Sequence, residues 1–298
     1  MAPLLSNNHG SKDYLKAPAN FFLGLHLSGS NSQRTAAVIL KVDKSQKIPE
    51  IGGVYEKIGS IGSIFSDERL LTIIANTDLQ REIFTDVPLS LPPCGLCERP
   101  ICPGVVKCHD LAVAYMLKIS QSSRTPRKGR KKRPINPQSQ RLWDVAHLED
   151  ERFRGVDLSY NSGKSSPNIR IKALKKRLLS LQKQHELLET SVPHVLAVLA
   201  SDFGFSKESC LDYRSFENGY LHREKVFAEL VARSWIKPRN DEIEEGVLHS
   251  VDIFHAFICA LVNTFYCQKK LTSPPDDVYS SQGWIYLPEA DTIPKHSD

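Results

Sequence analysis

Four cysteines, Cys94, Cys97, Cys102 and Cys108, stand in the pattern Cys-x2-Cys-x4-Cys-x5-Cys, and a carboxylate, Asp86, closes the apolar run just before them. Thiolates hold zinc at about 2.3 Å, and a Cys-x2-Cys pair makes the tightest turn able to wrap such an ion. Gly95, Pro100, Pro103 and Gly104 supply the bends. The spacing approaches a zinc knuckle with Cys102 where a knuckle has histidine; His109 is a substitute ligand, and an iron-sulfur cluster is the second reading of four thiolates. The plain alternative is four reduced cysteines in a turn. Closed four-thiolate sites are structural by type, so zinc here would pin the loop after Asp86 rather than do chemistry. Cys210, Cys259 and Cys267 fall in or beside apolar helical stretches and read as packing or surface residues.

Asp86 needs a strand to carry it. Ile83 to Val87 reads as a short buried strand, and Pro88, Pro92 and Pro93 forbid the ladder beyond it. Ligands of open α/β sheets bind at such strand ends, so Asp86 either faces a cleft or merely caps the turn. Upstream, Phe21–Ser30 and Thr35–Asp43 are two apolar runs about a Gly/Ser turn, which predicts an antiparallel hairpin. Gly52–Ile58 is a third strand, and Ser66–Ala75, with early acids and helical spacing, is a first helix. Downstream, Leu111–Ile119, Ile169–Glu189, Arg223–Trp235 and Glu242–Tyr266 carry helical periodicity, and Gly283–Pro288 reads as a terminal strand. This order predicts a three-layer α/β domain over 20–298, a mixed sheet flanked by helices, after a loose polar arm over 1–19.

The net charge of +5 is unevenly placed. Arg124, Arg127, Lys128, Arg130, Lys131, Lys132 and Arg133 form a block that cannot pack in a core and attracts polyanions. It opens an insertion over 121–167 predicted to be irregular and partly disordered; the alternatives to nucleic-acid contact are a solvated loop or a transport address. No stretch is long and apolar enough for a membrane span, and the first twenty residues lack a secretory pattern, so a cytoplasmic protein with no membrane partner is expected. The seven cysteines then suggest a metal more than a disulfide framework.

Five segments in order, Gly24–Gly29, Asp86–Pro92, Glu189-Thr190 with Pro193, Asp252–Leu261 and Gly283–Pro288, resemble the DUF429 proteins, which are predicted nucleases of ribonuclease H-like fold. The resemblance spans about Phe22 to Pro288 without the basic insertion. It implies a site of three carboxylates, on the first strand, at a central strand's tip and on a late helix, holding Mg²⁺ or Mn²⁺ for phosphodiester hydrolysis. Asp86 matches the central position and Asp252 the start of the late helix. This chain departs twice: His26 stands where the family has Gly-x-Asp, and His255-Ala256 where it has Asp-Ala. Two imidazoles for two carboxylates weaken a magnesium site and suit a softer divalent ion. Glu189 follows a predicted helix and either approaches the cleft or ends a solvated turn. Pro137–Arg141 resembles the family's Pro-Tyr-Thr-x-Arg segment, with Gln138 for tyrosine, which makes Arg141 a phosphate contact.

Three functions fit this pattern. The first is a metal-dependent nuclease using Asp86, Asp252, His26, His255 and Glu189, with Arg141, Arg127, Arg130, Lys131 and Lys132 on the substrate. The second is an inactive nucleic-acid-binding protein with a structural zinc knuckle. The third is a structural or partner-binding protein.

Overall fold

The computed structural model describes residues 20–28, 34–43, 47–62, 64–122, 135–147, 150–153, 156, 167–181, 185–238 and 241–290. The arm over 1–19 and the basic block, with Arg127, Arg130, Lys131 and Lys132, lie outside them. In chain order come β1 (Asn20–His26), β2 (Ala36–Val42), β3 (Glu50–Tyr55), a small ribbon of β4 (Ser60–Ile61) and β5 (Ile64–Phe65), α1 (Glu68–Asn76) and β6 (Leu79–Thr85). Then follow α2 (Pro93–Leu96), a 3-10 turn (Val105–Lys107), α3 (Leu111–Ser122), α4 (Leu142–His147), a second 3-10 turn (Glu151–Phe153), α5 (Pro167–Leu179) and β7 (Glu186–Glu189). The chain continues through α6 (Val192–Asp202), α7 (Lys207–Asp212), α8 (Gly219–Ala232), α9 (Asp241–His249), α10 (Val251–Cys267) and α11 (Asp277–Gln282).

The main sheet runs β3-β2-β1-β6-β7. Its first three strands are antiparallel, as the two apolar runs about a Gly/Ser turn require, and β6 and β7 join parallel to β1. Side chains alternate along β1. Leu23, Leu25 and Leu27 pack with Leu70 and Ile74 of α1 and Ile171, Leu174 and Leu178 of α5, while Phe22 packs on the opposite side with α6, α8 and α10. The fold is therefore α/β, a mixed sheet with helices on both faces. Where the β1–β6 register shifts, the Asn263 amide donates to the carbonyls of Leu23 and Glu82, at 3.2 and 2.8 Å, and keeps both satisfied.

Four sequence expectations change here. The helix read over Ile169–Glu189 stops at Leu179, and its tail is the strand β7. Leu187 and Leu188 enter opposite cores, and a strand buried on both faces shows no alternation to betray it. The helix read over Glu242–Tyr266 breaks by 107° at Ser250, whose hydroxyl accepts the Ile253 N–H and caps α10. Gly283–Pro288 makes two isolated bridges, Ile285 to Glu189 and Pro288 to Leu271, in place of a full strand. The stretch 121–167 is not irregular throughout, because α4 buries Leu142, Trp143 and Val145, and Phe153 is buried after it. Among the described residues no single helix is long and apolar enough to cross a membrane; α10, the most apolar, is buried from Ile253 to Phe265.

Candidate metal centre

His26 ends β1, and Asp86 stands one residue past β6, its parallel neighbour, with Leu25 and Thr85 in register. Asp252 and His255 occupy the start of α10, three residues apart and so on one face. What lets α10 lie so close is Gly24, two residues before His26 on the same face. A Cβ there would stand 2.1 Å from both the Ala256 carbonyl oxygen and the Ala260 nitrogen. Helix and strand meet backbone to backbone, and the rings of His26 and His255 come within 5.0 Å, edge to face.

Both rings converge on one oxygen of Asp86, and Asp252 holds the far side of the His26 ring. His26 Nδ1 lies 2.8 Å and His255 Nδ1 2.5 Å from Asp86 Oδ2, while His26 Nε2 lies 3.2 Å from Asp252 Oδ1. Arg34 chelates Asp252 from the rim, with its NH2 group 3.0 Å from Oδ1. Tyr213 Oη, at 3.0 Å, and Arg214, at 3.1 Å, meet His255 Nε2. A guanidinium only donates, so Nε2 of His255 accepts and its proton sits on Nδ1, facing Asp86.

Burial alone would lower the pKa of His26, but the charges of Asp86 and Asp252 and hydrogen bonds to them raise it to about 9. This ring is an imidazolium shared by two carboxylates. His255 is pushed the other way, to about 4, by burial, which its hydrogen bond to Asp86 only partly offsets. Asp86 is buried, which opposes ionisation, yet the charge of His26 and the hydrogen bonds from both rings hold it well below the usual carboxylate range. Asp252 falls to about 2 against its burial, through His26 and Arg34. One atom is left over: Asp86 Oδ1 is buried and has no hydrogen-bond partner.

His26, Asp86 and His255 place one ligand atom each within 4.8 Å of one another, close enough for a single ion. Two imidazole nitrogens and a carboxylate oxygen form a donor set for Zn²⁺, Mn²⁺ or Fe²⁺ more than for Mg²⁺. The unpartnered Oδ1 gives such an ion a further oxygen, so the residues fit. Glu208, Asp212 and His222 make a second group of the same span, at the surface between α7 and α8.

The other expected site residues lie elsewhere. Glu189 ends β7 beside Thr85 and is 2% exposed, not at a helix end. Its oxygens accept from Arg141 at 2.7 and 2.9 Å and from the Leu89 N–H at 2.8 Å. Arg141, expected on a phosphate, is itself buried and also bonds Asp144; burial would lower its pKa, but Glu189 and Asp144 hold it firmly protonated. That guanidinium is spent inside the protein, tying the stretch before α4 to the sheet's end. Among the described residues no three of Cys94, Cys97, Cys102 and Cys108 bring their sulfurs within 4.8 Å. Sequence reading missed Arg34, Tyr213 and Arg214. Their partners are 218, 42 and 41 residues away, and no local spacing reports such pairs. No protein-family model, no curated protein and no solved structure matches this chain.

Proposed function

We propose that this chain is a metal-dependent phosphodiesterase of the nuclease type, acting on DNA or RNA, with a ribonuclease H-like sheet of the DUF429 kind. One observation carries the reading: two imidazoles and a buried carboxylate from three separate elements converge at the C-terminal ends of two parallel strands, leaving Asp86 Oδ1 unpartnered. Support for the fold comes from three antiparallel strands followed by two parallel ones, which set the ends of β1 and β6 side by side.

His26, His255 and Asp86 would hold the divalent ion, which supplies an activated water and offsets phosphate charge. Asp252, anchored by Arg34, fixes the plane of the His26 ring through Nε2, as the outer partner of a metal-bound histidine does. For His255 the ion would take the place of the Nδ1 proton, and Nε2 would then carry the proton and donate to the Tyr213 oxygen as its outer partner. Arg214 is exposed on the rim and positioned to meet a phosphate oxygen once it leaves His255 Nε2. Glu189 and Arg141 take no part in the chemistry; they brace the wall behind it.

The test is cleavage of single- and double-stranded DNA and RNA with Zn²⁺, Mn²⁺ or Mg²⁺ supplied in turn. Cleavage with Mn²⁺ or Zn²⁺ exceeding that with Mg²⁺, and lost in Asp86→Asn, is expected. No cleavage with any ion would sink the reading. A second reading has its own observation: the His26 imidazolium already bridges Asp86 and Asp252, the role a cation would fill. In that reading the protein binds nucleic acid without cutting it, with affinity that falls steeply with salt.

A further inference from the structure

The segment between Asp86 and α3 has almost no core of its own. Over 93–110 its regular structure is one helical turn and one 3-10 turn, only Pro93 of the first is buried, and Leu96, Ile101 and Val106 are exposed. The lobe it leads into is scarcely better supplied. Helices α3 and α4 share a small core of Ala112, Met116, Leu142 and Val145, and Trp143 of α4 also reaches a core that flanks the sheet. Ordering a residue's backbone costs about 1–2 kcal/mol, and segments with so little burial are held by staples.

The same loop carries four thiols, none in a disulfide. Cys94 lies in the helical turn and Cys97 closes it; Cys108 closes the 3-10 turn, and Cys102 lies between. All four lie within fifteen residues of chain, and no three of their sulfurs stand within 4.8 Å of one another. Thiols without an ion have nothing to gather them, whereas sulfurs about 2.3 Å from a common zinc stand about 3.8 Å apart.

We propose that Cys94, Cys97, Cys102 and Cys108 form a tetrathiolate zinc site that cross-links the loop over 93–110 and fixes the α3–α4 lobe against the sheet. The site has a mechanical purpose. Cys108 stands just before α3, which leads into the basic block, and the Cys94 N–H bonds the Pro137 carbonyl, at 3.1 Å, just after that block. Four residues beyond Pro137, Arg141 is locked to Glu189. Zinc therefore anchors both ends of the basic segment to the edge of the sheet. The inference holds whether or not the cleft binds an ion.

The experiment measures zinc, iron and sulfide in the purified full chain, in Cys97→Ser with Cys102→Ser, in Cys267→Ser and in Asp86→Asn. Loss of one zinc per chain in the double variant, none in Cys267→Ser, and at least one zinc per chain kept in Asp86→Asn are expected. Because the double variant could misfold, wild type is also stripped with a chelator and refilled with Co²⁺. A thiolate-to-cobalt charge-transfer band at one Co²⁺ per chain, with protease cleavage near the basic block faster in the stripped form, confirms the site. Zinc content indifferent to the cysteines, iron with sulfide, or no charge-transfer band on Co²⁺ addition would overturn it. Loss of an ion only in Asp86→Asn would place that ion in the cleft and likewise overturn the cysteine site.

Discussion

The His–Asp cluster and the cysteine loop are opposite ways of assembling a site. In the cluster, Asp86 meets ring nitrogens 60 and 169 residues away, and packed backbone does the gathering before any ligand arrives. In the loop the four sulfurs lie within fifteen residues of chain, yet no packing brings them together. Close spacing in sequence advertises a ligand set whose ion does the folding; a set spread over the chain must be built by the core and is preorganised.

The largest effect that would break this contrast is at Gly24. Gly24→Val sets side-chain carbon into the backbone of α10, and destabilisation by at least about 3 kcal/mol is expected in urea unfolding. A change under about 1 kcal/mol would mean that close packing does not build the cluster. Asp86→Asn leaves two rings facing a weaker partner. Any cleavage should fall at least about 100-fold, while cysteine-bound zinc is unchanged. Hydrogen exchange sharpens the comparison: amides of α10 are expected to open only with global unfolding, whereas those of α3 and α4 open locally and faster after chelation. Equal protection of both regions would erase the distinction.

A smaller effect distinguishes the two histidines of the ion-free protein. His26 rises from 6.5 to about 9, so its contribution to stability is full below pH 6.5 and is lost as pH rises through 9. His255 falls from 6.5 to about 4, so its contribution is present above pH 6.5 and is lost as pH falls through 4. Melting temperature against pH should lose its alkaline decline in His26→Gln and keep its acid one. Smallest of all, Arg34→Ala removes an ion pair whose arginine is 58% exposed, and should cost under about 1 kcal/mol of stability in the same urea titration.

The sequence was most legible where periodicity and burial agree. The hairpin of β1 and β2, the first helix and the strand leading to Asp86 follow from apolar runs, helical spacing and breakers, whereas the pairing of β1 with β6 that sets His26 beside Asp86 comes from the fold alone. Legibility failed where an element is buried on both faces, as in β7, or where one apolar pattern continues across a turn, as at Ser250. Glu189 and Arg141 show a related limit. Their residue types suggest chemistry, but only the folded chain shows each consuming the other's charge. Tyr213 and Arg214 precede α8 in a stretch with no pattern, and their role at His255 arises from tertiary contact alone.

The turn at Ser250 carries one more consequence. Had the chain run as one helix from Glu242, the peptide dipoles would have begun some distance from the two histidines. Because a serine restarts it, α10 presents its own electropositive end where Asp252 sits in the first turn. An incoming anionic oxygen there meets the partial charge of aligned peptides along a seventeen-residue axle. A single hydroxyl thereby decides where along the chain the field of that helix begins.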